Sequence, residues 1–275
     1  MTNALTLFGL AERVVVVTGG LGLLGHQFAT VLASHGARVA VLDMVNDDAA
    51  ISRRYGARWD RERLAFFACD ITQRPMLDNI LVAIGHRFGE APFGLINNAA
   101  LDSPPNAPES ENGPFESYSE ASWDRVMDVN VKGTFLACQV FGGAMAKMGR
   151  GSIVNVASIY GMVAPDQGLY QYRRDRGEVF FKPVAYAASK SALYNLTRYL
   201  AGYWGSQGVR VNTVTFAGVF NNQDPEFLAR YKAKVPLGRM AEPEDYNGTI
   251  VYLMADASAY MTGANVVVDG GFTAL

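Results

Sequence analysis

Apolar residues fall along this chain in short unbroken runs, not in alternation with polar ones. Seven stand out: Arg13-Val-Val-Val-Val-Thr18, Arg38-Val-Ala-Val-Leu-Asp43, Leu64-Ala-Phe-Phe-Ala-Cys-Asp70, Gly94-Leu-Ile-Asn-Asn-Ala-Ala100, Ser152-Ile-Val-Asn-Val-Ala-Ser158, Val209-Arg-Val-Asn-Thr-Val-Thr215 and Asn265-Val-Val-Val-Asp269. Runs of this length suit strands buried on both faces. Between them the apolar spacing becomes helical, over 23–35, 47–57, 73–88, 120–148, 186–204, 225–234 and 242–254. Strands alternating with helices predict one parallel, doubly wound α/β sheet of about seven strands with helices on both faces. Ligands of such sheets bind beyond the carboxyl ends of the strands.

Composition narrows the picture. The 275 residues are 49% apolar and 18% charged, enough for one large domain over 1–275 with a sizeable core. Three stretches, 101–121, 159–185 and 217–238, are too long or too polar for plain connections and are expected to shape a substrate site. A net charge of −2 gives no case for nucleic acid or an anionic membrane as partner. No uncharged apolar run reaches spanning length. The first nine residues lack a basic region followed by an apolar one, and Cys69 and Cys138 cannot build a disulfide framework. A cytoplasmic protein is therefore expected. His26, His35 and His86 show no metal-ligand spacing, so no metal is expected.

The first candidate chemistry follows the first strand. Gly19-Gly-Leu-Gly-Leu-Leu-Gly25 lies between that strand and a helix, and Asp43 closes the second strand. Glycines let the backbone turn tightly against a pyrophosphate, and a helix N-terminus offers it free N–H groups. This is a dinucleotide-binding fingerprint of Rossmann type. A carboxylate at Asp43 accepts hydrogen bonds from both adenosine ribose hydroxyls and repels a 2′-phosphate. Arg53 and Arg54 are expected well down the next helix. NAD is therefore favoured over NADP. Asp70, Ile71 and Asn98 fall at the carboxyl edge of the sheet. Asn130 sits mid-helix in an apolar stretch, a structural or a functional amide. Ser158 ends the fifth strand.

Tyr186-Ala-Ala-Ser-Lys190 puts a phenol and an amine on one helix face. An ammonium favours the phenolate, and bringing a Tyr from roughly 10 to near 7 takes about 4 kcal/mol. Such a pair exchanges protons at neutral pH.

These residues together resemble the short-chain dehydrogenase/reductase family, over essentially the whole chain. The resemblance rests on Thr18-Gly-Gly-Leu-Gly-Leu-Leu-Gly25, Asp70-Ile71, Asn97-Asn-Ala-Ala100, Asn130, Ser158, Tyr186-x-x-x-Lys190 and the closing Val-Val-Asp269-Gly-Gly. It implies that Tyr186 is the general acid/base, that Lys190 lowers its pKa and holds the nicotinamide ribose, that Ser158 polarises the substrate oxygen and that Asn130 anchors a relay water. It implies cofactor contacts at Gly19, Gly22, Leu23, Leu24, Gly25, Asp43, Met44, Asp70, Ile71, Asn98, Ala99, Ala100, Val156, Tyr186, Lys190, Ala217 and Val219. It implies substrate contacts at Ser158, Tyr160, Tyr170 and Phe220, and a homotetramer (or a dimer) built through 120–148, 186–204 and the C-terminal segment. Three positions depart from the family pattern. Leu23 stands where a Gly is usual, giving a glycine spacing seen in the extended, sugar-nucleotide branch. Ala100 replaces a Gly, and Phe216-Ala217 replace Pro-Gly. The gap from Ser158 to Tyr186 is about twice the usual one. With Ser-Ile-Tyr-Gly161, the 101–121 stretch and Asn221-Asn-Gln-Asp-Pro-Glu226, it resembles a subgroup linked to bacterial surface-sugar and flagellin modification. The expected activity is NAD-dependent interconversion of a secondary alcohol and a ketone on a polyol, a sugar or a sugar derivative. A sugar epimerase or dehydratase that retains NAD, and a non-catalytic NAD sensor, are the rival readings.

Overall fold

The computed structural model describes residues 4–57, 59–102 and 108–275. Its seven strands are β1 (Val14–Thr18), β2 (Arg38–Asp43), β3 (Leu64–Ala68), β4 (Gly94–Asn97), β5 (Gly151–Ser158), β6 (Val209–Phe216) and β7 (Asn265–Val268). They form one sheet in the order β3-β2-β1-β4-β5-β6-β7, with every pair parallel. The chain works outward from β1 to β3, then returns to β4 and works outward the other way. The crevice at that reversal is where such sheets bind ligands.

Strand β1 explains the unbroken apolar runs. Val14 and Val16 enter one core with Leu77, Ile84, Phe141 and Met145. Val15 and Val17 enter a second core with Phe28, Leu32, Ile250 and Met254. Helices cover both faces, so neither face has a polar side.

Several boundaries differ from the sequence expectation. Strand β3 stops at Ala68, and Asp70 instead caps the following turn, its Oδ1 accepting from the N–H (2.9 Å) and hydroxyl (2.7 Å) of Thr72. Strand β6 runs one residue further, to Phe216, in register with Ser158 and Val268. A proline there has no N–H for the ladder, whereas Phe216 keeps one. Its buried ring stacks on Tyr246 with centroids 3.9 Å apart. The helical run over 120–148 contains two wider π segments, Asp128–Gly133 and Cys138–Gly142. A Cβ on Gly133 would lie 2.6 Å from Ile71 Cδ1, so Ile71 is a core contact of that helix.

The 159–185 stretch is not wholly irregular. It holds three short helical turns, Ile159–Gly161, Gln167–Tyr170 and Gln171–Asp175, and Pro183 caps the long Val184–Trp204 helix two residues earlier than expected. Leu169, Tyr170 and Phe180 pack with Tyr231, Val235 and Met240 into a third small core. Ion pairs Arg176–Asp224 (3.0 Å) and Lys234–Asp166 (2.6 Å) fasten the same two segments. The insertion and the Pro225–Lys232 helix therefore make one roof over the carboxyl edge of the sheet. Of the 101–121 excursion, residues 103–107 lie outside the described residues. The rest includes a helical turn at Glu109–Asn112.

Candidate active site

The glycine loop is built for close approach. Gly19 adopts φ +64°, and a Cβ there would sit 2.8 Å from Ala99 Cα. A Cβ on Gly25 would sit 2.1 Å from Gly19 O, so the first helix turn presses directly on the loop. Gly22 caps the Leu23–Ser34 helix without any side-chain hydrogen bond, which leaves the first-turn N–H groups available to an anion. Asn98 Nδ2 donates to Thr18 O and Gly19 O, both at 3.1 Å, so that side chain holds the loop's shape. Asp43 Oδ2 accepts from Leu21 N–H at 2.9 Å. Arg54, expected to lie well away, folds back and donates from Nε to Leu21 O at 2.9 Å. These features fit a dinucleotide, with the pyrophosphate at the uncapped turn and the adenosine ribose beside Asp43.

Beyond the loop a cavity of about 800 Å³ opens over β4, β5 and β6. Its walls include the predicted cofactor residues Leu24, Asn98, Ala100, Val156, Ala217 and Val219, together with Lys190. They also include Ser158, Tyr160, Tyr170 and Tyr186. Tyr186 is half-buried, with Ser158 near enough to favour its ionised form. Ser158 Oγ also accepts from Tyr160 N–H at 3.3 Å. Lys190 is buried and donates from Nζ to Val156 O at 2.7 Å, with Nζ 5.7 Å from the Tyr186 ring centre.

The electrostatics of this pair differ from the sequence expectation. Burial, followed by the charge of Asp102, pushes the Tyr186 phenol well above its ordinary value, and Ser158 only partly opposes that. Burial also draws the Lys190 ammonium down, to about 8. In the chain by itself desolvation outweighs the mutual help of phenolate and ammonium.

Two predicted residues lie elsewhere. Phe220 is not among the cavity's lining residues and ties its N–H to Ala241 O at 2.8 Å. The Asn130 amide is spent on structure: Oδ1 accepts from Leu101 N–H at 2.7 Å, and Nδ2 donates to Leu101 O (3.0 Å) and Ser189 Oγ (2.9 Å). Its main-chain carbonyl accepts from Thr134 Oγ1 at 2.9 Å. Met44 is 74% exposed, a side chain with no built pocket of its own.

Sequence reasoning also missed residues. Tyr194 donates to Ser158 O at 3.0 Å and shares a hydrogen bond with Thr215 Oγ1 at 2.9 Å, which fixes the end of β5. Its spacing from Tyr186 and Lys190, one further helical step of four, was the available signal. Asp102 and Lys182 meet at the cavity wall, 80 residues apart in sequence, and no local pattern announces that contact.

The family model described as enoyl-(acyl carrier protein) reductase matches residues 22–273. D-threitol dehydrogenase of Mycolicibacterium smegmatis is 33% identical over 272 residues, 97% of this chain and 95% of that protein. The chain belongs to the short-chain dehydrogenase/reductase family. Galactitol 2-dehydrogenase of Rhizobium johnstonii is 32% identical, with 97% of both chains covered. Among solved structures, a short chain dehydrogenase from Leptospira borgpetersenii with bound NAD+ superposes with a TM-score of 0.83 at 30% identity, covering 99% of this chain and 96% of that one. The extended-branch glycine spacing of this short-chain dehydrogenase thus occurs on a chain whose full-length relatives carry dehydrogenase names. Leu23 is simply the first residue of the helix, where a side chain is tolerated.

Proposed function

We propose that this short-chain dehydrogenase is an NAD-dependent oxidoreductase that interconverts a secondary alcohol and a ketone on neutral polyols. One observation carries the reading: the Ser158 and Tyr186 side chains share a cavity with the glycine-loop helix and Lys190. In oxidation Tyr186, as phenolate, takes the hydroxyl proton while Ser158 donates a hydrogen bond to the same oxygen. When bound, the nicotinamide accepts the carbinol hydride. Lys190 keeps positive charge beside the phenolate and directs N–H groups at the ribose, and Asn130 anchors a relay water through its main-chain carbonyl. The whole chain acts as one catalytic unit, and the stretches 101–121, 159–185 and 217–238 shape its substrate side.

Charge balance supports a neutral substrate. Arg173, Arg176 and Lys182 line the cavity, but Glu178, Asp224 and Asp102 already pair with them. An incoming phosphate would have to displace a carboxylate. The polyol dehydrogenase names of the M. smegmatis and R. johnstonii relatives agree with this. For the cofactor, NAD is favoured because Asp43 sets a carboxylate where NADP carries its phosphate. Arg54 sits close enough to the same loop that Asp43 carries the argument alone. The assembly is a homotetramer in the cytoplasm, with Phe135, Tyr199 and Tyr203 as the exposed rings of its interface helices. The test is NADH formation at 340 nm across polyols, sugars and sugar phosphates. Turnover is expected on neutral polyols, and turnover on phosphorylated sugars only, or on none, would overturn the reading.

A further inference from the structure

The cavity contains one ion pair that lies against the catalytic tyrosine. Lys182 Nζ meets both oxygens of Asp102, at 2.5 and 2.6 Å. The same Nζ stands 4.7 Å from the Tyr186 ring centre and 5.9 Å from that of Tyr160. The Lys182 side chain is only 10% exposed, while Asp102 is 47% exposed and opens to the cavity. A largely covered ion pair gives little net stability, because desolvation offsets its attraction. Its placement is nevertheless fixed from both sides. Gln167 brackets the Lys182 main chain, accepting from its N–H at 2.8 Å and donating to its carbonyl at 3.1 Å. Asn130 brackets Leu101, next to Asp102, in the same two-bond manner. Two separate amide clamps therefore bring a cation and an anion together beside the Tyr186 ring.

We propose that the Asp102–Lys182 pair reads a second hydroxyl on the carbon next to the carbinol, Asp102 accepting that hydroxyl's hydrogen bond and Lys182 donating to its oxygen. The pair thereby selects vicinal diols over isolated secondary alcohols. The ammonium has three donors and the carboxylate about four acceptor sites, so both retain capacity after meeting each other. This inference rests on the polyol oxidoreductase reading.

The test compares butane-2,3-diol with butan-2-ol as substrates of the full-length protein with NAD⁺. Wild type is expected to prefer the diol by at least about tenfold in kcat/KM, the worth of one or two charge-assisted hydrogen bonds. Asp102→Asn and Lys182→Met should each collapse that ratio toward unity, and Lys182→Arg should restore part of it. NADH fluorescence titration checks that each variant is folded, and half-exposed Asp102 carries the test if Lys182→Met is not. Asp102 also opposes ionisation of Tyr186, so its removal should ease proton abstraction, the reverse of the loss expected on the diol. A wild type without diol preference, or variants that keep the wild-type ratio, would overturn the assignment. Absence of any wild-type alcohol turnover would bring down the oxidoreductase reading itself.

Discussion

A phenol that burial holds in its neutral form makes the two directions of the reaction respond differently to pH. In the proposed mechanism oxidation needs the Tyr186 phenolate, and the ionised fraction of an acid titrating above the working pH grows about tenfold per pH unit. kcat/KM for alcohol oxidation is therefore expected to climb from pH 7 until the Lys190 ammonium loses its proton, near 8. Ketone reduction uses the neutral phenol, already present, and should stay flat over that range. Equal slopes in the two directions would contradict the direction of the Tyr186 shift. Tyr186→Phe should cost roughly 10²–10⁴ in kcat, the usual worth of a general acid/base, with NADH binding retained. Asp43→Asn keeps an acceptor for Leu21 N–H but removes the charge, so the NAD/NADP ratio of kcat/KM should fall about tenfold, as one lost charge contact implies. At this scale the sequence was legible where residue type and spacing bring groups together: Tyr186, Lys190 and Ser158 line one cavity, as expected. It was not legible where tertiary contacts decide. Nothing local announces that Arg54 returns to Leu21, that the Asn130 amide is spent on Leu101, or that the Lys182 and Asp102 side chains meet.

Among the elements, the strand–loop–helix unit from β1 to β2 leaves least room for change. Gly25→Ala would force a methyl to within 2.1 Å of a backbone carbonyl. The loop must then open, and NADH affinity measured by fluorescence should fall at least tenfold, about 1.4 kcal/mol, even if the fold survives. An unchanged dissociation constant would show that the close approach is not needed. Elements whose apolar runs are buried on both faces could be read directly from the sequence, and all seven strands appear. Their ends could not. Strand β6 gains Phe216 because its ring finds Tyr246, and β3 loses its last residues to the Asp70 turn. The π segments of the 120–148 helix carry no propensity signal, since a widened turn is set by packing against Ile71 and its neighbours.

On the scale of the whole molecule, a cation in the interior makes stability depend on pH. The Lys190 ammonium titrates near 8 when folded and at its ordinary higher value when unfolded. Below pH 8 both states hold the proton and the burial cost is fully present. Between about 8 and 10.5 only the unfolded state keeps it, so this contribution to stability rises with pH, by up to about 3 kcal/mol. Chemical denaturation of wild type and Lys190→Met across pH 7–10 should show the variant's relative advantage shrinking as pH rises. A constant gap would refute the shift. The parallel sheet and both faces of its core were legible in the sequence as unbroken apolar runs, but the roof was not. Its aromatic residues come from two segments separated by the whole of β6, and only the fold brings them together.

That shared roof bears on how such an enzyme is re-engineered. A graft of residues 159–183 into another scaffold would bring Arg176 without Asp224, Asp166 without Lys234, and half of an aromatic cluster. The exchangeable cassette is the insertion together with residues 217–235, so recombination libraries cut on either side of only one of them should yield mostly unfolded or inactive chimeras.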